Sequence, residues 1–251
     1  MQIKRSIPNA ITLLNALCGC IAAILAANNY LVAAAFFVFL GIFFDFFDGL
    51  AARKLQVQSE LGVQLDSLAD MITSGLVPGI IMFKLLSLTA DTSSLAQVTK
   101  QWGSSNAQWY SFDIPLIAYL GLLIPLASAY RLAKFNIDEN QQDSFIGLPT
   151  PANALLIMSL PLIMEFQNND SMNAIIINKW FLIGLTLVSS YLLNSNIHLF
   201  ALKFKDFKFK GNAMRYTFLL LSIVLLILLH FAAIPIIIAL YIIMSLISKN
   251  S

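Results

Sequence analysis

Runs of about 20 apolar residues follow one another along most of this chain, and a run of that length lets an α-helix cross a bilayer. Lipid offers the backbone no hydrogen-bond partners, so each span must be a helix that satisfies its own peptide groups. With 59% hydrophobic and 11% charged residues and a mean hydropathy of +0.79, the chain has too little charge to cover a soluble domain. We predict an all-α integral membrane protein with about eight transmembrane helices, at 7–27, 31–50, 65–86, 114–134, 150–165, 180–197, 215–231 and 233–248.

The basic residues are unevenly distributed among the segments that join these spans. If the N-terminus lies inside, only Lys84, Lys100 and Lys179 of the 15 Lys and Arg residues fall on the outer side. Cytoplasmic segments of membrane proteins are enriched in Lys and Arg. The pattern predicts a multi-pass protein of the cell (inner) membrane with both termini in the cytoplasm.

The segments outside the spans are too short to form a soluble module, so residues 1–251 are predicted to be a single transmembrane domain. The longest is a polar outer segment at about 87–112. Two others, at 135–149 and 198–214, are predicted to be cytoplasmic. The last contains KFKDFKFK, which is typical of a stretch lying against anionic headgroups and equally of a plain positively charged inner loop.

Charge is scarce in the spans, yet four aspartates fall within 26 residues at the ends of spans two and three. A carboxylate inside a bilayer costs about 2.5–3.5 kcal/mol on insertion scales and therefore indicates a functional site. Asp45 and Asp48 differ by about 60° around a helix, and Asp66 and Asp70 by about 40°, so each pair shares a face. If the two spans pack as an antiparallel hairpin, the pairs meet near the cytoplasmic surface.

Four carboxylates so close together would repel one another, so a divalent cation is expected between them. An all-oxygen set of ligands on two facing helices suits Mg²⁺ or Mn²⁺ and can hold two ions. The two histidines, His198 and His230, are distant from the aspartates in the sequence, which argues against a zinc site.

The residues between the aspartate pairs suit a phosphate ligand. Gly49 and Ala52 lie within about 40° of Asp45 around the helix and leave room for a ligand near the backbone. Arg53 follows one turn after Gly49 and can bind phosphate through its planar guanidinium group. Gly62, one turn before Asp66, leaves similar room for a ligand beside the second aspartate pair. Two metals, an Arg and a cleared helix face favour phosphoryl-group transfer over proton pumping.

The spacing Asp-x2-Asp-Gly-x2-Ala-Arg-x8-Gly-x3-Asp-x3-Asp, matched at every fixed position from Asp45 to Asp70, resembles the signature of the CDP-alcohol phosphotransferase family. The resemblance implies a helical membrane enzyme, often dimeric, whose site opens to the cytoplasm. It implies that Asp45, Asp48 and Asp66 ligate the metals. Asp70 would touch a metal and act as general base on the acceptor hydroxyl. The residues implied to line the CDP and diphosphate pocket are Gly49, Ala52, Arg53 and Gly62.

Four segments are similar to the membrane-type phosphatidylserine synthases of that family: IPNAITLLNALCGCIAA at 7–23, FDFFDGLAARKL at 44–55, QLDSLADM at 64–71 and YRLAKFN…FIGLPTPAN at 130–153. This similarity implies transfer of a phosphatidyl group from CDP-diacylglycerol to L-serine, with CMP as the second product. The expected partners are these two substrates, membrane lipids and a second copy of the chain. No nucleic acid is expected as a partner.

Polar residues in two of these segments are further candidates for substrate binding. Arg131, Lys134 and Asn136 lie at the inner end of span four, where a cationic pocket could receive the serine carboxylate. They are also compatible with plain positive-inside anchoring. Asn9 and Thr12, about one turn apart near the start of span one, could hydrogen-bond the nucleotide.

Two alternatives to serine transfer remain open from the sequence. The same chemistry could use glycerol 3-phosphate or inositol phosphate as acceptor, although such dianions should need more basic residues than Arg131 and Lys134. A divalent-cation transporter is an alternative of another class, because intramembrane aspartates also line ion pathways. Against a transporter, the acidic residues cluster at one face of the membrane, and spans four to eight have none near their middle.

Overall fold

The structure, a computed structural model, describes residues 2–89, 115–137, 145–167, 169–200 and 209–249. Most of the predicted outer segment 87–112 and parts of the predicted cytoplasmic segments 135–149 and 198–214 lie outside the described residues. The described α-helices are α1 (Gln2–Ala27), α2 (Leu31–Leu55), α3 (Glu60–Asp70), α4 (Val77–Leu88), α5 (Leu123–Ile137), α6 (Thr150–Phe166), α7 (Asp170–Ile176), α8 (Lys179–Asn194), α9 (Phe209–Leu229) and α10 (Ala233–Lys249).

The predicted all-α membrane fold is confirmed. By length and composition, five described helical segments can cross a bilayer, or six when α7 and α8, bent by 60° at their junction, count as one span. The fifth predicted span is the shorter helix α6, with 17 residues. Each of the eight predicted spans corresponds to a helix or helical segment, but they are not all of full spanning length.

The last two predicted spans form one apolar segment, Asn212–Ile247, that folds back on itself. The rings of Phe218 on α9 and Tyr241 on α10 have centroids 5.5 Å apart, which a continuous helix would not allow. The reversal occurs at the 3-10 turn His230–Ala232, where His230 has a φ of 48°. The segment is therefore a helical hairpin, as two separate spans predict.

Helices α1 and α2 form the antiparallel hairpin that carries the first aspartate pair. Their turn contains Asn29 with a φ of 65°, a left-handed conformation that Asn tolerates. Small, fully buried residues line the contact between the helices and let their backbones approach closely. These residues are Ala22, Ala26, Ala34 and Ala35.

A short turn after α2 leads to the second aspartate pair. Gln56 ends α2 in a left-handed conformation, and its backbone N–H reaches the carbonyl groups of Ala52 and Arg53. Ser59 then caps α3 by accepting a hydrogen bond of 3.1 Å from the backbone N–H of Gly62. Since α3 starts only five residues after α2 ends, the two aspartate pairs lie at the same end of the hairpin.

Helices α3 and α4 belong to one span that a π-helical turn, Met71–Leu76, interrupts directly after Asp70. Such turns widen the helix locally and occur often at functional sites. The predicted span 65–86 contains this irregularity, which nothing in its apolar pattern indicates. Its consequence is that the residues after Asp70 do not follow ordinary α-helical spacing.

In the second half of the chain, helices α5, α6 and α8 pack beside α1–α4. A 3-10 turn, Leu116–Leu122, precedes α5. Two short strands, β1 (Phe145–Ile146) and β2 (His198–Leu199), pair antiparallel at the inner ends of α6 and α8. Gly147, with a φ of 73°, makes the turn between β1 and α6. This strand pair was not predicted, since two-residue strands leave no periodic pattern.

Candidate active site

Three of the four predicted aspartates meet where the last turns of α2 lie beside α3. Each of Asp45, Asp48 and Asp66 offers a carboxylate oxygen, and these oxygens lie within 4.8 Å of one another. The first two come from adjacent turns of α2 and the third from α3, as the helical spacing predicts. Asp48 is 7% exposed, so the cluster is partly shielded from solvent.

Asp70 lies beside this cluster rather than within it. Its side chain is 8% exposed, one turn further along α3 than Asp66. Its Oδ2 atom accepts a long hydrogen bond of 3.5 Å from the hydroxyl of Thr150, and Oδ1 has no hydrogen-bond partner among the described residues. Asp70 thus differs in environment from the other three, and its contact with a metal stays a prediction.

The ligand atoms that the cluster offers are of the kind that bind a divalent cation. Its three carboxylates supply only oxygen ligands, which Mg²⁺ and Mn²⁺ prefer. Three like charges in so small a space repel one another, and a cation between them would remove that repulsion. His198, in β2, and His230, at the turn after α9, are not members of this cluster. The residues present therefore fit a hard divalent ion better than zinc.

Thr12 contacts the aspartate cluster directly. Its hydroxyl donates a hydrogen bond of 2.5 Å to Oδ2 of Asp48 and lies 3.1 Å from the carbonyl oxygen of Pro8. We predicted that Thr12 hydrogen-bonds the nucleotide, whereas here its hydroxyl orients a carboxylate. Asn9, one turn earlier on α1, is half-buried and faces Gly62: a Cβ added to Gly62 would lie 3.4 Å from Oδ1 of Asn9.

The residues predicted to line the CDP pocket surround an opening on α2. A Cβ added to Gly49 would meet a single atom within 4 Å, the Nη2 atom of Arg53 at 3.9 Å. Arg53 itself is exposed, and Ala52 is half-buried. The absent side chain at Gly49 therefore leaves free space beside an exposed cation. This arrangement suits a diphosphate, whose binding by these residues stays a prediction.

Arg131 is a buried cation close to Asp70. Its side chain is 9% exposed, its charge interacts with that of Asp70, and its Nε atom has no hydrogen-bond partner among the described residues. A buried guanidinium group with a free donor is available to an anionic ligand. The exposed Lys134 follows one turn later on α5.

A shallow cavity opens beside Arg131 and Lys134. It lies between the inner end of α5, strand β1 and the end of α8. The lining residues are Arg131, Lys134, Phe135, Ile146, Leu193, Asn194 and Ser195. Its two cationic side chains are the ones that the sequence assigned to the acceptor, which supports the predicted position of the acceptor segment.

Asn136 does not line this cavity. Its Oδ1 atom accepts a hydrogen bond of 3.1 Å from Ser67, and its Nδ2 atom donates one of 3.2 Å to Gln64. Both partners lie on α3, between and beside the aspartates of the second pair. In this structure Asn136 therefore ties α5 to α3, and the prediction that it binds serine has no geometric support here.

Three polar residues near Asp70 were not singled out in the sequence. Thr150 donates to Asp70 from the first turn of α6, and Asn15 and Thr73 are fully buried and hydrogen-bonded to each other. A polar residue inside an apolar run was the available signal, since such residues are costly in lipid. It marks Asn15 within LLNAL, but Thr150 lies at a helix start, where Thr is ordinary.

Comparisons with known proteins bear directly on this arrangement. The profile of the CDP-alcohol phosphatidyltransferase family matches residues 5–192, a range that contains all four aspartates. The CDP-diacylglycerol–serine O-phosphatidyltransferase of Bacillus subtilis (strain 168) is 32% identical over 170 residues, covering 67% of this chain and 80% of that protein.

Two archaeal relatives extend the comparison. The CDP-diacylglycerol–serine O-phosphatidyltransferase of Methanocaldococcus jannaschii is 28% identical over 184 residues, with 73% of this chain and 71% of that protein covered. The archaetidylserine synthase of Methanothermobacter thermautotrophicus is 29% identical over 161 residues, with 62% and 58% covered. The resemblance inferred from the aspartate spacing is thereby confirmed. This chain belongs to the CDP-alcohol phosphatidyltransferase family, whose members are metal-dependent enzymes.

Proposed function

We propose that this protein transfers the phosphatidyl group from CDP-diacylglycerol to L-serine, forming phosphatidylserine and CMP. The observation that carries the proposal is the division of the acidic site. Three carboxylates cluster on α2 and α3, and a fourth, Asp70, borders this cluster beside the buried cation Arg131. A metal-binding group and a separate proton acceptor are what phosphoryl-group transfer to an alcohol requires.

In this proposal the cluster binds two Mg²⁺ or Mn²⁺ ions through Asp45, Asp48 and Asp66, with Asp70 at its border. When bound, the ions polarise the diphosphate and stabilise the charge that develops on the departing CMP phosphate. Gly49, Ala52, Arg53 and Gly62 line the diphosphate pocket, with Asn9 near Gly62. Thr12 keeps Asp48 oriented through their hydrogen bond.

Asp70 acts as the general base. It takes the proton of the serine hydroxyl while the serine oxygen forms a bond to the phosphorus on the lipid side of the diphosphate. The bond from that phosphorus to the bridging oxygen breaks, and CMP leaves with the electron pair. Thr150 donates to Oδ2 of Asp70, which leaves Oδ1 available in the described structure. No covalent enzyme intermediate is needed.

Serine as the acceptor is supported by the cavity that Arg131 and Lys134 line and by the relatives. The guanidinium group of Arg131 and the ammonium group of Lys134 border one cavity and suit a single carboxylate. The relatives act on different lipids according to their names, phosphatidyl in two cases and archaetidyl in the third, while serine is common to all three. Shared recognition of serine is therefore the simplest account of this pocket.

The same proposal gives the protein a location and an assembly. The helices make it a multi-pass membrane protein, and the basic inner segments support a site that faces the cytoplasm from the cell membrane. CDP-diacylglycerol then reaches the site from the surrounding lipid, and serine enters from the cytoplasm. We expect a single domain over 1–251 that assembles as a homodimer.

The proposal is tested with purified protein in lipid vesicles that contain CDP-diacylglycerol and Mn²⁺. L-Serine, glycerol 3-phosphate and inositol phosphate are supplied one at a time, and both CMP and the lipid product are measured. We expect CMP release with serine and phosphatidylserine as the product. Faster release with either phosphorylated alcohol would overturn the serine assignment, and metal flux without CMP release would favour a transporter.

A further inference from the structure

Asn15 is a fully buried amide in an apolar helix that the proposed reaction does not use. It lies on α1, about one turn deeper in the membrane than Thr12. An amide placed in an apolar environment without a hydrogen bond costs roughly 1–3 kcal/mol in protein mutational data. Its partners therefore indicate what it does.

The first partner of Asn15 is Thr73, in the π-helical turn after Asp70. The Thr73 hydroxyl lies 2.8 Å from Oδ1 of Asn15 and 3.2 Å from the Asn15 carbonyl oxygen. A hydroxyl that donates to Oδ1 fixes the orientation of the amide, because Nδ2 must then point the other way. Nδ2 is buried and has no hydrogen-bond partner among the described residues.

Two glycines allow this contact by leaving out side chains. A Cβ added to Gly41 on α2 would lie 2.6 Å from Cγ2 of Thr73 and 2.9 Å from Oδ1 of Asn15. A Cβ added to Gly19 on α1 would lie 3.0 Å from the backbone nitrogen of Thr73. Helices α1 and α2 and the π-helical turn are therefore tightly packed around Asn15 and Thr73. The two side chains have little freedom to move.

Asp70 is the second residue to consider near Asn15, although the two share no hydrogen bond in the described structure. Asp70 directly precedes the π-helical turn that contains Thr73, so the Asn15 amide, which is hydrogen-bonded to Thr73, lies near Asp70. Nδ2 of Asn15 and Oδ1 of Asp70 are both buried, and neither has a hydrogen-bond partner among the described residues. Catalytic hydrogen bonds are often long before substrate binds and shorten in the reacting complex.

We propose that Asn15 and Thr73 are positioning residues for Asp70: Thr73 fixes the Asn15 amide, and the amide N–H holds Oδ1 of Asp70 during proton transfer from the acceptor hydroxyl. This inference rests on the proposed role of Asp70 as general base. With Thr150 on Oδ2 and Asn15 on Oδ1, the carboxylate plane is fixed from two sides. Each carboxylate oxygen has two lone pairs, so Oδ1 can accept the Asn15 N–H on one and the acceptor proton on the other. The pair acts only through Asp70 and touches neither substrate.

The test is a double-mutant cycle in the full-length protein with Asn15→Ala, Thr73→Val and the double variant. Thr73→Val keeps the shape of the side chain and removes its hydroxyl. If Thr73 acts through Asn15, each single change lowers kcat about 10- to 100-fold, while KM for CDP-diacylglycerol changes little. The double variant should be no slower than Asn15→Ala alone, because the two residues form one unit.

Three comparisons separate positioning from packing. Thr73→Ser retains a hydroxyl and should recover most of the lost kcat. Thr186→Val is the matched control, since Thr186 is fully buried but donates to Leu182 in its own helix α8, at 2.7 Å. Nucleotide affinity, measured with CDP as the probe, and thermal unfolding in detergent should be unchanged in Thr73→Val.

The inference is overturned if Thr73→Val keeps kcat within about twofold of wild type, or if losses in the double variant simply multiply. It is also overturned if Thr73→Ser is as slow as Thr73→Val, which would assign the loss to packing. Asp70→Asn in the same series tests the underlying proposal separately. If that variant retains turnover, the general-base assignment fails whatever the Asn15 and Thr73 variants do.

Discussion

The hydroxyl of Thr12 donates a hydrogen bond of 2.5 Å to Oδ2 of Asp48 across the contact between α1 and α2. The first helix of the protein therefore orients a carboxylate that belongs to the aspartate cluster. Such contacts around metal ligands tune affinity because they fix the ligand before the ion arrives. Through this contact, the start of α1 forms part of the candidate active site.

Replacing Thr12 by Val should weaken metal binding more than it weakens the fold. We expect about a 10- to 100-fold increase in the Mn²⁺ concentration that gives half-maximal CMP release, because Asp48 loses its orienting donor. Thr12→Ser should remain close to wild type in this titration. Thr217→Val is the control, since Thr217 donates only within its own helix, to Ala213 at 2.9 Å. An unchanged Mn²⁺ requirement in Thr12→Val would contradict the orienting role.

Metal removal should destabilise the protein through repulsion within the aspartate cluster. We expect EDTA to lower the thermal unfolding temperature of the wild type and Mn²⁺ to restore it. Asp45→Asn removes one of three clustered charges, so in EDTA it should unfold at a higher temperature than wild type while lacking activity. Its response to Mn²⁺ should be smaller. Equal unfolding temperatures in EDTA, with the full Mn²⁺ response retained, would show that these carboxylates do not share an ion.

The aspartate cluster could be predicted from the sequence because its geometry is mostly local. Asp45 and Asp48 lie on one helix, and a turn of only four residues, 56–59, separates α2 from the helix that carries Asp66. Helical spacing fixes each side chain, and a short turn between two antiparallel helices brings both pairs to the same end. The different environment of Asp70 was not predictable in this way, because Thr150 and Arg131 approach it from α6 and α5.

Asn136 should contribute to stability rather than to serine affinity. Asn136→Ala removes hydrogen bonds to Ser67 and Gln64, each worth about 1 kcal/mol, and should lower the unfolding temperature by several degrees. KM for serine should stay within about threefold of wild type. Ser67→Ala, which removes one of the same bonds, should produce a smaller decrease in the same direction. A large rise in KM at an unchanged unfolding temperature would restore the original assignment to the acceptor pocket.

The role of Asn136 could not be read from the sequence for a physical reason. Asn136 and Lys134 differ by about 160° around α5, so only one of them can face the cavity when the other faces α3. The choice depends on how α5 rotates against α3, and that rotation is set by packing between helices distant in sequence. The pair of short strands and the π-helical turn are equally products of tertiary contacts.

Arg131 should determine the affinity for serine. Arg131→Lys keeps the charge but removes the planar fork of donors, so we expect KM for serine to rise at least about 10-fold. Lys134 is exposed, and Lys134→Ala should have a smaller effect of the same sign. Lys179→Ala, at the start of α8, is the control for loss of an exposed cation. Steady-state kinetics with serine as the varied substrate will check this, and equal effects from Lys134→Ala and Arg131→Lys would contradict the assignment.

The central claim is that the aspartate site transfers a phosphatidyl group to serine with Asp70 as the base. The most direct measurement is the incorporation of labelled serine into lipid by wild type and Asp70→Asn in vesicles containing CDP-diacylglycerol and Mn²⁺, with CDP affinity measured on the same preparations. We predict labelled phosphatidylserine from wild type only, with similar CDP affinity in both proteins. Labelled lipid from Asp70→Asn at a rate near wild type, or none from wild type, would contradict the account.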